Sequence, residues 1–174
     1  MKLRVAINGF GRIGRVFLRS VLNHPKIEVV AINDLSTSKI MSHLFKYDSI
    51  HRIFQGDVEY KKNSIIINGY SINYTSISNP EYLPWKDLKV DLVVECTGCF
   101  KTKALASKHI LAGAKKVIIS APPLDNDVRT IVMGVNDELI DGTEKIFSNA
   151  SCTTNSAAPM IKSIHNHFGI ESAY

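Results

Sequence analysis

The chain has 174 residues, 45% hydrophobic and 21% charged, with a net charge of +5. Such a length and composition imply one domain of ordinary size with a packed core, which excludes a disordered chain. No apolar run approaches the roughly 20 residues a membrane span needs. Gly9 breaks the apolar run over residues 1–8, so no secretory signal is expected. Basic residues are scattered in ones and twos (Lys61-Lys62, Lys115-Lys116). A mildly basic surface suits a phosphorylated ligand, and no recognition motif marks a specific nucleic-acid binder. Three cysteines, an odd number, argue against a disulfide framework and for a reducing, cytoplasmic setting.

Strand and helix alternate along the chain. Residues 4–8 read as a short buried strand. Ile13, Val16, Phe17, Val21 and Leu22 have helical spacing over residues 12–22, and Pro25 stops that helix. Residues 27–32 form the next strand and 38–45 a second helix. Residues 58–60, 64–67 and 70–74 predict antiparallel strands, two of them joined at Asn68-Gly69, where both residues tolerate positive φ. An antiparallel insertion thus interrupts the parallel pattern. The α/β rhythm returns with strands at 91–96, 116–120, 130–133 and 145–147 and a helix at 102–111. A last helix runs from near Ser151 to His167, Gly169 ends it, and residues 170–174 begin a new strand. The predicted fold is α/β, a Rossmann-type doubly wound, mostly parallel sheet with an antiparallel hairpin insertion. Ligands in such sheets bind at the carboxyl ends of the strands.

Gly9-Phe10-Gly11-Arg12-Ile13-Gly14 fits G-x-G-x-x-G. The motif is weak alone and strong in this context. A strand precedes it, a helix follows, and Asp34 lies just past the second strand. Gly9 makes the tight turn, Gly11 lets backbone N–H groups approach a pyrophosphate, and Gly14 permits close helix packing. Asp34 is placed to accept from a ribose hydroxyl and to repel a 2′-phosphate, which favours NAD over NADP. The plainer reading is a glycine-rich turn without a cofactor.

Cys96-Thr97-Gly98-Cys99 is a C-x-x-C at a strand end. A redox pair, half of a zinc site and an incidental tight turn are the three readings. The zinc reading lacks two ligands, and the turn is preferred. Cys152 lies in Ser148-Asn149-Ala150-Ser151-Cys152-Thr153-Thr154-Asn155, at the start of the last helix. The partial positive charge of a helix N-terminus favours a thiolate there. A small buried cysteine capping a core helix is the competing reading. His24, His43, His51, His109, His165 and His167 lack metal-ligand spacing and read as ordinary surface or core residues, so no metal is expected.

These residues resemble a known family. Asn8 to Arg15, Asn33-Asp34-Leu35, Lys46-Tyr47-Asp48-Ser49, Glu95-Cys96-Thr97-Gly98, Lys115 to Pro122, Met133-Gly134-Val135-Asn136 and Ser148 to Asn155 are similar, in order, to the N-terminal half of phosphorylating, NAD-dependent glyceraldehyde-3-phosphate dehydrogenases. The resemblance implies an NAD-binding domain over residues 1–149 and the start of a truncated catalytic domain over 150–174. By the same resemblance Gly9, Gly11, Arg12 and Ile13 line the pyrophosphate, and Asn33 and Asp34 hold the adenosine ribose. Ser78 occupies the adenine-contacting position, while Thr97, Gly98 and Ser120 border the nicotinamide. Cys152 is the nucleophile, and Ser151 and Thr153 bind inorganic phosphate. Glyceraldehyde 3-phosphate is the implied substrate and a cytoplasmic homotetramer the implied assembly. The family's histidine base would lie further along the strand begun at residues 170–174. Three positions depart from the pattern: Ser78 replaces a common arginine, Ser156 a common second cysteine, and Arg52 a usual glycine. The resemblance also covers the sister enzyme acting on erythrose 4-phosphate. An NAD-binding module without catalysis and a C-x-x-C oxidoreductase are the readings from other classes.

Overall fold

The computed structural model describes residues 1–172. Its elements, in chain order, are β1 (Leu3–Asn8), α1 (Arg12–Val21), β2 (Ile27–Asn33), α2 (Ser38–Lys46), β3 (Val58–Lys61), β4 (Ser64–Ile67) and β5 (Tyr70–Thr75). There follow β6 (Leu92–Glu95), α3 (Lys103–Leu111), β7 (Lys116–Ile119), β8 (Arg129–Thr130), β9 (Ile146–Ser148) and α4 (Cys152–Phe168). Among the described residues the nine strands make one sheet, ordered β3-β4-β5-β2-β1-β6-β7-β9-β8.

The antiparallel segment does not stand apart from the parallel sheet. β3, β4 and β5 pair antiparallel with one another, and β5 then pairs parallel with β2, so the insertion extends one edge. Asn68 at φ 49 and Gly69 at φ 82 make the β4–β5 turn, the double positive φ that a two-residue hairpin requires. β8 is shorter than residues 130–133 would make it, because Val132 N–H is taken by Asn136 Oδ1 rather than by a strand. Ile170 to Ser172 form no strand; the remainder of the strand expected over 170–174 lies outside the described residues.

Alternation along the strands splits the core into two layers. Ala6, Ala31 and Val93 face a cluster with Trp85, Ala106 and Val117 on the α3 side. Ile7 and Ile32 face Phe10, Leu18, Met41 and Phe45 beneath α1 and α2. β1 lies between β2 on one side and β6 on the other. The chain therefore winds outward in both directions from β1, and a crevice opens past the carboxyl ends of these three strands. None of the described helices is long and apolar enough to cross a membrane.

Candidate functional site

A cleft of about 420 Å³ fills that crevice. Its floor is the turn after β1 (Gly9, Gly11), and its walls include Asp34 and Leu35 after β2, Ser78 beyond β5, and Thr97 and Cys99 after β6. The three motif glycines play different parts. Gly9 has φ +89, and a Cβ there would meet Thr97 N at 2.7 Å. At Gly14 a Cβ would overlap the carbonyl oxygen of Gly9. Both are packing glycines. Gly11 has an ordinary φ of −69, and a Cβ on it would find nothing within 4 Å. Neither conformation nor packing asks for glycine at Gly11, which leaves the close approach of a ligand.

Gly11 is also the N-cap of α1 and offers no side-chain hydrogen bond. By contrast α2, α3 and α4 are capped by Thr37, Thr102 and Ser151. The first N–H groups of an uncapped helix are free to bind an anion. Arg12 and Ile13 follow in the first turn, both exposed.

Asp34 holds this loop in place. Its Oδ2 accepts from Phe10 N–H at 2.8 Å and its Oδ1 from Ser36 N–H at 2.9 Å. Each carboxylate oxygen has a second lone pair for a hydroxyl in the cleft. Asn33 also lines the cleft, yet its side chain is spent inside the protein. Its amide nitrogen donates to Asn8 Oδ1 (2.8 Å) and Ile77 O (2.9 Å), and its Oδ1 accepts from Thr75 Oγ1 and Ile77 N–H. Ser78 stands exposed on the far rim. Gly98, at φ +74, shapes the turn that carries Thr97. Ser120 is half-buried beside Cys96 and outside the cleft lining. Burial pushes the Cys96 thiol up to about 11, and Cys96, Cys99 and Cys152 are all free.

The cysteine octet makes a second turn on the same edge of the sheet. β9 pairs parallel with β7, and Asn149 N–H continues the ladder to Ile119 O. Ala150 then takes φ +58, a left-handed conformation that costs a non-glycine residue about 1–3 kcal/mol. Ser148 Oγ accepts from Ala150 N–H, and the Asn155 amide donates to both Asn149 O and Ser151 O. This brace puts Cys152, exposed, at the first position of α4. Ser151 Oγ caps Thr154 N–H and lies 2.8 Å from Thr153 Oγ1 and 2.7 Å from Thr154 Oγ1, so three hydroxyls gather beside the thiol-bearing residue. None of Ser151, Cys152 and Thr153 lines the cleft. His165 and His167 lie at the other end of α4, about 20 Å along its axis at about 1.5 Å per residue. No residue of α4 is buried; Met160, Ile161, Ile164 and Phe168 are all more than half exposed.

Two features escape a reading of motifs. Arg52 has φ +63, a left-handed conformation that glycine would adopt without a Cβ penalty; its carbonyl accepts from the Arg19 guanidinium. Asn8, in the cleft floor, forms a buried polar group with Glu95 and His109 beneath it. The signal for it is a polar residue at the end of an otherwise apolar strand.

A family model described as glyceraldehyde 3-phosphate dehydrogenase, NAD binding domain, matches residues 3–103. The glyceraldehyde-3-phosphate dehydrogenase of Clostridium acetobutylicum is 53% identical over 171 residues, covering 98% of this chain and 51% of the relative. That of Thermotoga maritima is 52% identical over 97% of this chain and 51% of its own length, and that of Geobacillus stearothermophilus 49% identical over 98% and 51%. The chain spans about half the length of these curated relatives. It belongs to the glyceraldehyde-3-phosphate dehydrogenase family, and every residue lining the cleft falls within the matched NAD-binding domain.

Proposed function

We propose that the chain serves the NAD-dependent oxidation and phosphorylation of glyceraldehyde 3-phosphate to 1,3-bisphosphoglycerate. The observation that carries the cofactor half is Gly11, open above an uncapped helix N-terminus. Gly9, Gly11, Arg12 and Ile13 would take the pyrophosphate. Asp34 would take the ribose, with Asn33 positioning the strand end beneath it, and Ser78 would take the adenine through its backbone. Thr97, Gly98 and Ser120 would border the nicotinamide. NAD, when bound, supplies the hydride acceptor.

Cys152 Sγ would attack the aldehyde carbon and hold the substrate as a hemithioacetal. Loss of the hydride to the dinucleotide and of the hemithioacetal hydroxyl proton to a general base leaves a thioester, so one difficult oxidation is split into two easier steps. Ser151 and Thr153 would hold the inorganic phosphate that attacks the thioester and regenerates the thiol. Residues 1–149 would be the cofactor domain and residues 150–174 the start of the catalytic one. That no residue of α4 is buried supports that boundary. A cytoplasmic homotetramer is the proposed assembly, and three free thiols accord with the compartment.

Calorimetry tests the cofactor reading. The chain should bind NAD well ahead of NADP, because Asp34 opposes a 2′-phosphate. Gly11→Ala should weaken NAD at least about tenfold by obstructing the backbone N–H groups, while moving stability by no more than about 1 kcal/mol. Equal affinity for the two dinucleotides, or unchanged binding in Gly11→Ala, would refute it. The same 174 residues should form no NADH from glyceraldehyde 3-phosphate and phosphate. Among the described residues no histidine is hydrogen-bonded to Cys152, and a missing base costs about 10²–10⁴-fold. Turnover at the level of full-length relatives would show that another residue acts as base.

A further inference from the structure

Four neighbouring parallel strands end in polar residues at one register level: Thr75 pairs with Asn33, Asn33 with Asn8, and Asn8 with Glu95. Their side chains form a directed chain of hydrogen bonds. Thr75 Oγ1 donates to Asn33 Oδ1, Asn33 Nδ2 to Asn8 Oδ1, and Asn8 Nδ2 to Glu95 Oε2 at 2.6 Å. A second chain arrives from the opposite side. Trp85 Nε1–H donates to His109 Nδ1 at 3.0 Å, and His109 Nε2 lies 3.0 Å from the same Glu95 Oε2. Indole N–H is a donor only, so Nδ1 must accept and the imidazole proton sits on Nε2, aimed at the carboxylate. The contact is therefore a hydrogen bond from a neutral ring and not an ion pair. Glu95 Oε1 accepts from the backbone N–H of Thr97 at 2.7 Å and from the Thr97 hydroxyl. Glu95, His109 and Trp85 are each no more than 1% exposed.

All four donors around Glu95 point inward, and only a carboxylate accepts on both sides. The Thr97 amide that it holds is the atom against which Gly9 packs, so the carboxylate sets the spacing between the β1 and β6 turns. We propose that Glu95 is a positioning residue of the dinucleotide cleft, with His109 and Trp85 as its brace. Glu95 does not line the cleft, and it acts through Thr97. This inference rests on the NAD reading above.

The test uses the 174-residue chain, whose one tryptophan is Trp85. NAD binding is measured by calorimetry, and the Trp85 indole N–H is followed by proton–nitrogen NMR. In the parent chain NAD should shift the indole signal, although Trp85 is buried and outside the cleft. Glu95→Gln must place an N–H against a donor, so NAD should bind about tenfold more weakly, and the indole signal should stop responding. His109→Gln retains one donor and one acceptor and should preserve both affinity and response. His109→Leu retains neither and should lose both, which tests the brace even where Glu95→Gln fails to fold. A folded Glu95→Gln chain with parental NAD affinity, or a His109→Leu chain with parental affinity and response, overturns the proposal. A parent chain that binds no NAD overturns the cofactor reading itself, and so the two failures are distinguished.

Discussion

The turn after β1 and the turn after β9 leave the same edge of the sheet and both lead into a helix, yet they are built in opposite ways. The first uses glycine where φ is positive, at Gly9, and leaves α1 uncapped. The second forces Ala150 into a positive φ, braces it with Ser148 and Asn155, and caps α4 with Ser151. An uncapped helix end keeps its N–H groups for an anion that arrives. A capped one has satisfied part of that demand internally and presents what stands at its first position, here a thiol. The surroundings differ as well. The first turn rests on a buried row of polar residues with their partners in place, whereas the second opens onto a helix none of whose residues is buried.

Gly14→Ala should break the first turn outright. The new methyl meets backbone that cannot move aside, and a cost of about 3 kcal/mol or more is expected. Urea unfolding measures it, and a loss under about 1 kcal/mol would mean the helix can shift away. Thiol mapping sharpens the contrast between the two regions. At pH 7 a thiol raised to about 11 is roughly 0.01% thiolate. Iodoacetamide should therefore label exposed Cys152 at least about 100-fold faster than Cys96. Cys96 labelling should rise tenfold per pH unit until about 11; similar rates for the two at neutral pH would remove the distinction. Smallest is the effect of Arg52→Gly. It removes a left-handed arginine from an exposed site and should stabilise the chain by about 1 kcal/mol, a few degrees in melting temperature. No rise would show that the Arg19 contacts to the Arg52 carbonyl depend on the arginine side chain.

Local pattern carried most of the fold. The apolar runs of β1, β2 and β6 and the Asn68-Gly69 turn lie where their residue types require. What local pattern does not carry is direction. Asn33 and Asp34 are neighbours with the same apparent claim on a ribose, but strand alternation turns one side chain into the sheet and leaves the other at the cleft. Ile13 fits the helical stripe of α1 and is nonetheless 56% exposed, because the stripe that packs runs through Gly14, Leu18 and Val21. His109 reads as an ordinary core or surface residue. Its meaning depends on Trp85 and Glu95, which only the packing of α3 brings to it. The three motif glycines look alike in sequence and separate only when a methyl is built on each.

The sheet's two edges have a consequence for solubility. β3, at one end, carries Glu59 and Lys61, and its residues are mostly exposed. β8, at the other end, is two residues long. Charged side chains and short length both frustrate strand-by-strand addition of a second molecule. On α4, by contrast, four large apolar residues, Met160, Ile161, Ile164 and Phe168, are exposed at helical spacing. Self-association of the isolated chain should therefore proceed through helix contacts, giving soluble oligomers that mild detergent reverses, and not through cross-β fibrils.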